Sequence, residues 1–132
     1  MAALDTHVLV RFLVRDDVAQ YAAARALIER CVQAGEPLFV PVTVALELEW
    51  VLRSNFALDK PTVLRTFAQL LSSFELRFES EGALEAALAL YGRGTAGLSD
   101  CLHTALAHAA GELPLWTFDR AAAKVDGARL LD

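Results

Sequence analysis

The sequence predicts an α/β domain with a mainly parallel sheet covered by helices on both faces. Three observations predict it. Short apolar segments alternate with helix-length ones along the whole chain, most of the longer segments carry their own start or stop residues, and the composition is 55% hydrophobic against 22% charged. Buried parallel strands read as continuous apolar runs and need helical crossovers between them. At 132 residues the chain is expected to form one domain, 1–132, long enough to bury most of the surface its unfolded form exposes.

The elements follow in order. Ala2 to Leu4 reads as a short strand stopped by Asp5, after which T-H-V-L-V-R-F-L-V has helical spacing. Val18 to Ala34 is an Ala-rich amphipathic helix, with Gly35 and Pro37 as stop signals. Pro37 to Val40 is a brief buried strand, and Pro41 opens a helix running to about Ser54. Pro61 to about Ser73 is a further helix, Glu75 to Phe78 a strand, and Glu81 to Tyr91 a helix closed by Gly92. G-R-G-T-A-G-L is a loop, and Ser99 is placed to cap a helix from Asp100 to about Ala110. Leu113 to Phe118 is a strand, Arg120 to Lys124 a short helix, and Ala128 to Leu131 the last strand.

Composition narrows the function classes. No apolar run approaches the roughly 18 to 20 residues that a membrane span needs, because Glu47, Glu49 and Arg53 interrupt the most hydrophobic stretch. Asp5 and Arg11 come too early for a secretory signal, so a cytoplasmic protein is expected. Cys31 and Cys101 form no C-x-x-C pair and read as reduced, small core residues. A net charge of −5 argues against broad nucleic-acid binding through a basic face, but clustered acids neutralised by cations at the point of contact remain compatible with a nuclease. The cations are ten Arg and two Lys, and those near the acids read mostly as salt-bridge partners.

Four carboxylates stand out: Asp5, Glu47, Asp100 and Asp119. In parallel α/β sheets the functional crevice lies beyond the carboxyl ends of the strands, where Asp5 and Asp119 fall. Taken singly, those two are equally well explained as helix N-caps, and Asp100 as a charge at the positive end of a helix. Glu47 lies on a helix that is apolar nearly all round, so it is expected to be buried with nothing local to neutralise it. Its neighbour Glu49 has Arg53 at i+4 and reads as a structural ion pair. Four gathered acids repel one another, and a hard divalent cation held by oxygens alone resolves that conflict. Thr6, Ser99 and Thr117 stand beside three of the acids, either orienting them or acting as ordinary caps.

Other chemistries fit less well. His7, His103 and His108 lack a nucleophile-elbow context, and the two later ones read as surface residues of one helix. G-R-G-T-A-G has neither a preceding strand nor the Lys-Ser/Thr of a phosphate-binding loop. A phosphoaspartyl enzyme would want a second Asp where His7 stands. Arg120 or Arg11 is placed to position a phosphate backbone, but no aromatic-basic pattern indicates base reading.

The ordered set L-D-T, P-V-T-V-A-L-E-L-E-W-V-L-R, S-D-C-L-H and T-F-D-R resembles the PIN domain, and specifically the VapC toxins of bacterial and archaeal toxin–antitoxin operons. The resemblance covers essentially the whole chain. It implies a three-layer α/β/α PIN-like fold and a Mg²⁺-dependent ribonuclease, with Mn²⁺ as a substitute, whose acids map onto Asp5, Glu47, Asp100 and Asp119. It also implies an RNA substrate, a homodimer and a small VapB-like antitoxin. Two positions depart from the pattern: His7 stands where Asn is expected, and Gly97 where many relatives carry a further acid. Two competing readings are a protein-binding module with weak or lost nuclease activity, and a metal-dependent DNA nuclease.

Overall fold

The computed structural model describes residues 2–132. The chain divides into two compact units, one running through Glu79 and the other from Ser80 to Asp132.

The first unit contains α1 (Thr6–Val14), α2 (Val18–Ala34), β1 (Leu38–Val40), α3 (Val42–Phe56), α4 (Lys60–Leu71) and β2 (Leu76–Phe78). β1 and β2 pair in parallel, Leu38 opposite Leu76 and Val40 opposite Phe78. The expected strand at Ala2 to Leu4 is present only as a bridge, Ala3 to Phe39. Its ladder is two bonds long: the Leu4 amide donates to the Phe39 carbonyl at 2.9 Å, and the Phe39 amide to the Ala2 carbonyl at 2.8 Å. Asp5 ends the ladder because its side chain turns the backbone into α1.

Helix limits in this unit follow local chemistry. Asp17 caps α2 by accepting the Gln20 amide, and Gly35 closes it at φ 69°, a left-handed conformation that costs glycine little. Pro41 is the N-cap of α3 rather than a residue of its first turn, and it has no side-chain oxygen to offer. Glu79 supplies one instead, accepting the Val42 amide at 2.8 Å from the end of β2. Leu4, Leu9, Leu38, Val40, Leu48, Leu52, Val63 and Phe67 are buried here. Each buried Leu, Val or Phe contributes about 1.5–3 kcal/mol by removal from water.

Asp59 caps α4, accepting the Thr62 amide at 3.0 Å. Hydrogen bonding to the Thr62 side chain, and then to its amide, holds the Asp59 carboxyl below its ordinary value. A depressed native value means that this cap's stability is present above the unfolded value and is lost as pH falls through the native one. The Asp59→Asn protein is therefore expected to lose stability less steeply in acid than the unmodified one. Urea melts across an acidic pH series check this, and equal slopes would count against it.

The second unit contains α5 (Glu81–Arg93), α6 (Leu98–Ala109), β3 (Leu115–Thr117), a 3-10 turn at Ala122–Lys124, and β4 (Ala128–Leu130). β3 and β4 are again parallel, and α5 packs on α6. Three expectations are corrected here. Gly92 lies inside α5, which ends at Gly94 in extended backbone. Helix α6 begins at Leu98 with Gly97 as N-cap, so Ser99 is a first-turn residue and not the cap. β3 is half its expected length: it loses Leu113 and Pro114 at its start, where the proline has no amide to donate, and Phe118 at its end, where Thr117 and Asp119 divert the chain into side-chain turns described below. Cys101 is buried as expected, whereas Cys31 is only half-buried.

The fold is α/β with every strand pair parallel, as the alternation of segments predicts. No helix among the described residues is long and apolar enough to cross a membrane.

Candidate active site

One buried residue, Thr6, serves two of the four acids. It is 0% exposed, and its amide donates to Asp5 Oδ1 at 2.7 Å, the capping bond of α1. Its hydroxyl donates to Glu47 Oε1 across 41 residues of sequence. Glu47 is thus brought to the residue that follows Asp5, and both carboxylates are held from one point.

Glu47 itself is exposed, which overturns the expectation that it is buried. Thr43, Glu47, Trp50 and Ser54 share one exposed stripe of α3, while Ala45, Leu48, Glu49 and Leu52 face inward. Trp50 is the reason the helix looks apolar all round, because it is 55% exposed despite its size. The acid that is buried is Glu49, at 3%, and Arg53 pairs with it through Nε as the i+4 spacing predicts.

In the second unit, Asp100 lies half-buried in the first turn of α6. Its carbonyl accepts the Thr104 hydroxyl at 2.9 Å. Asp119 is exposed just past β3, and its Oδ1 accepts the amides of Ala121 at 2.8 Å and Ala122 at 3.1 Å. Thr117 Oγ1 accepts the Asp119 amide at 3.0 Å, so this hydroxyl fixes the backbone that carries the acid. Ser99 is exposed and makes no bond to Asp100. Of the three neighbouring hydroxyls, only that of Thr6 bonds a candidate carboxylate directly.

The bonding leaves a common remainder. Asp5, Glu47 and Asp119 each commit one oxygen to the fold and keep the other, and Asp100 keeps both, among the described residues. The capping reading and the ligand reading of these acids are therefore compatible. Among the described residues no group of three or more His, Cys, Asp and Glu side chains is arranged as a preformed metal site. Taken one by one, the uncommitted atoms of these residues are carboxylate oxygens, the donor type a hard divalent cation takes.

The surrounding cations are differently disposed. Arg11 is committed within its own unit: Nη1 grips both Asp16 oxygens, at 2.9 and 3.2 Å, and Nε donates to Gln20 at 2.6 Å. Two of its three nitrogens are thus engaged, whereas Arg120 is exposed beside Asp119. His7, His103 and His108 are all exposed. At Gly97 an added Cβ meets nothing within 4 Å, so the position expected to carry an acid in relatives opens onto free space.

Comparison with known proteins gives the family. The model of the PIN domain matches residues 2–128. A VapC ribonuclease of Aquifex aeolicus (strain VF5) is 27% identical over 120 residues, covering 91% of this chain and 88% of that protein. With the family model matched over nearly its whole length, the chain belongs to the PIN-domain family.

Proposed function

We propose that this chain is a divalent-metal-dependent endoribonuclease, the toxin of a VapBC-type toxin–antitoxin pair. The family match carries the activity, and the spare oxygens of Asp5, Glu47, Asp100 and Asp119 carry the site. PIN nucleases generally use divalent metal ions. The all-carboxylate donor set favours Mg²⁺ here, with Mn²⁺ as a substitute. The PIN match spans both compact units, which supports reading 1–132 as one functional domain. The likeness to a VapC ribonuclease also brings a VapB-like antitoxin, a homodimer and a cytoplasmic site of action into the proposal.

When bound, the cation supplies activation of water at neutral pH and polarisation of the phosphate. The chain's own residues supply the placement. Thr6 donates to Glu47 Oε1 and, through its amide, to Asp5 Oδ1, which leaves Glu47 Oε2 and Asp5 Oδ2 for the ligand role. The Ala121 and Ala122 amides do the same for Asp119. Neither departure from the family pattern argues for a lost activity. His7 is exposed on α1, and Gly97 removes only an outer acid from open space.

The ends of the cut RNA test the mechanism. Direct attack by water leaves a 5′-phosphate and a 3′-hydroxyl, and cleavage is expected in Mg²⁺ or Mn²⁺ and not in EDTA. A 2′,3′-cyclic phosphate would sink the proposal, because it requires attack by the neighbouring 2′-hydroxyl. Cleavage of DNA with RNA left intact would move the assignment to the deoxyribose substrate.

A further inference from the structure

Strand pairing in the second unit assembles an aromatic-basic face that the linear sequence hides. Trp116 and Arg129 are 13 residues apart and are register partners in the parallel pair β3–β4, so both leave the same side of the ladder. The Arg129 guanidinium carbon stands 5.5 Å from the Trp116 ring centroid. The pairing continues one step, with the Leu131 amide donating to the Thr117 carbonyl at 2.8 Å, which brings Leu131 alongside Phe118. Trp116 is 54% exposed, Phe118 78% and Leu131 44%. Asp119 follows Phe118 directly.

Such exposure of aromatic surface needs an occupant, and the chemistry favours one. A ring with a guanidinium already over it offers a π face and a positive charge together, the combination on which unpaired bases stack. From Glu112 to Asp132 the chain carries Arg120, Lys124 and Arg129 against Glu112, Asp119, Asp126 and Asp132, so the positive charge offered here is that of Arg129 on the ring and not of the segment as a whole. A cation fixed on an exposed ring suits a polyanion at that point of an otherwise acidic chain.

We propose that Trp116, Phe118 and Arg129 form a stacking platform for the bases of single-stranded RNA on the strand that leads to Asp119, one of the acids that would hold the cation. The inference rests on the ribonuclease reading and adds to it the residues that bind the substrate strand. Stacking has little sequence preference, because every base has a π face, so the platform holds the strand rather than choosing it.

Kinetics and binding test it together, with a single-stranded RNA of randomised sequence as the probe. Cleavage is followed in Mn²⁺, and equilibrium binding of the same RNA is measured with the Asp5→Asn protein carrying each platform variant. Trp116→Ala is expected to raise KM and weaken binding by between about 5- and 150-fold with kcat little changed. Trp116→Tyr is expected to recover most of the loss. Phe118→Ala, at the most exposed of these positions, carries the same test if Trp116→Ala does not fold.

If the Ala variants cut and bind the RNA as the unmodified protein does, the platform is overturned and the ribonuclease reading stands. A fall in kcat with KM unchanged also overturns it. So does a change in sedimenting mass for Trp116→Ala, since the face would then join copies of this chain or cover a protein partner. RNA bound through Trp116 but never cut keeps the platform and removes the ribonuclease reading, whereas RNA neither bound nor cut removes both.

Discussion

Asp5→Asn and Asp119→Asn are expected to cut RNA at least about 100-fold more slowly than the unmodified protein while melting at the same temperature. The first half of that result follows from the ligand role. Losing a group that merely orients a metal ligand costs about 10- to 100-fold in affinity or activity, so losing a ligand's charge should reach or pass the upper figure. The second half follows from the capping role. Asn caps a helix about as well as Asp, so the bond from Asp5 to the Thr6 amide and those from Asp119 to the Ala121 and Ala122 amides survive the change. Substitution by Ala would confuse the two roles, because it removes cap and ligand together. Initial rates in Mn²⁺, isothermal titration with Mn²⁺ and a thermal melt separate them. Variants that retain their rate would show that these acids are caps and nothing more.

What the sequence disclosed of the fold was the order and type of elements, because each long segment has an apolar stripe and most have a stop residue. Gly35 and Pro37 mark the end of α2 to the residue. Where limits were missed, a longer-range partner had taken over. Pro41 has no capping oxygen and relies on Glu79, 38 residues later, to hold the next amide. Ser99 has the chemistry of a cap but sits two residues too late, because Gly97 already has the extended backbone that a cap requires. β3 stops early because two polar side chains at its end bond the backbone themselves, which composition does not reveal.

The candidate acids could be named from the sequence, but the surroundings of one of them were misread. Glu47 attracted notice as a buried acid without a partner, yet it is exposed and its partner is Thr6. Helical periodicity places Glu47 on the stripe of Thr43 and Trp50, but a tryptophan there reads as core until its exposure is known. The pairing of Glu49 with Arg53 was legible because it is local, one turn apart on one helix. The aromatic-basic face was not, since Trp116 and Arg129 meet only through strand register.

Three variants of this one corner are expected to divide activity from stability. Glu47→Gln removes a charge that is already in water, so the fold should hardly change while metal-dependent cleavage falls by about 100-fold or more. Thr6→Val keeps the shape of a fully buried side chain and the amide that serves Asp5, but deletes the donor to Glu47. Its expected cost is about 10- to 100-fold in Mn²⁺ affinity, the range for a residue that orients a ligand. Arg53→Met acts in the opposite sense. It withdraws the Nε donor from Glu49, a carboxylate only 3% exposed, and removing one partner of a fully buried ion pair costs about 3–5 kcal/mol. Here the Arg53 side chain is 44% exposed and the pair is partly screened, so about 1–3 kcal/mol is expected, with kcat per folded molecule unchanged. Urea melts and Mn²⁺ titrations on the same three proteins check the division. A destabilised Glu47→Gln protein with normal metal affinity, or an Arg53→Met protein that folds well but has lost metal, would reverse the roles of Glu47 and Glu49.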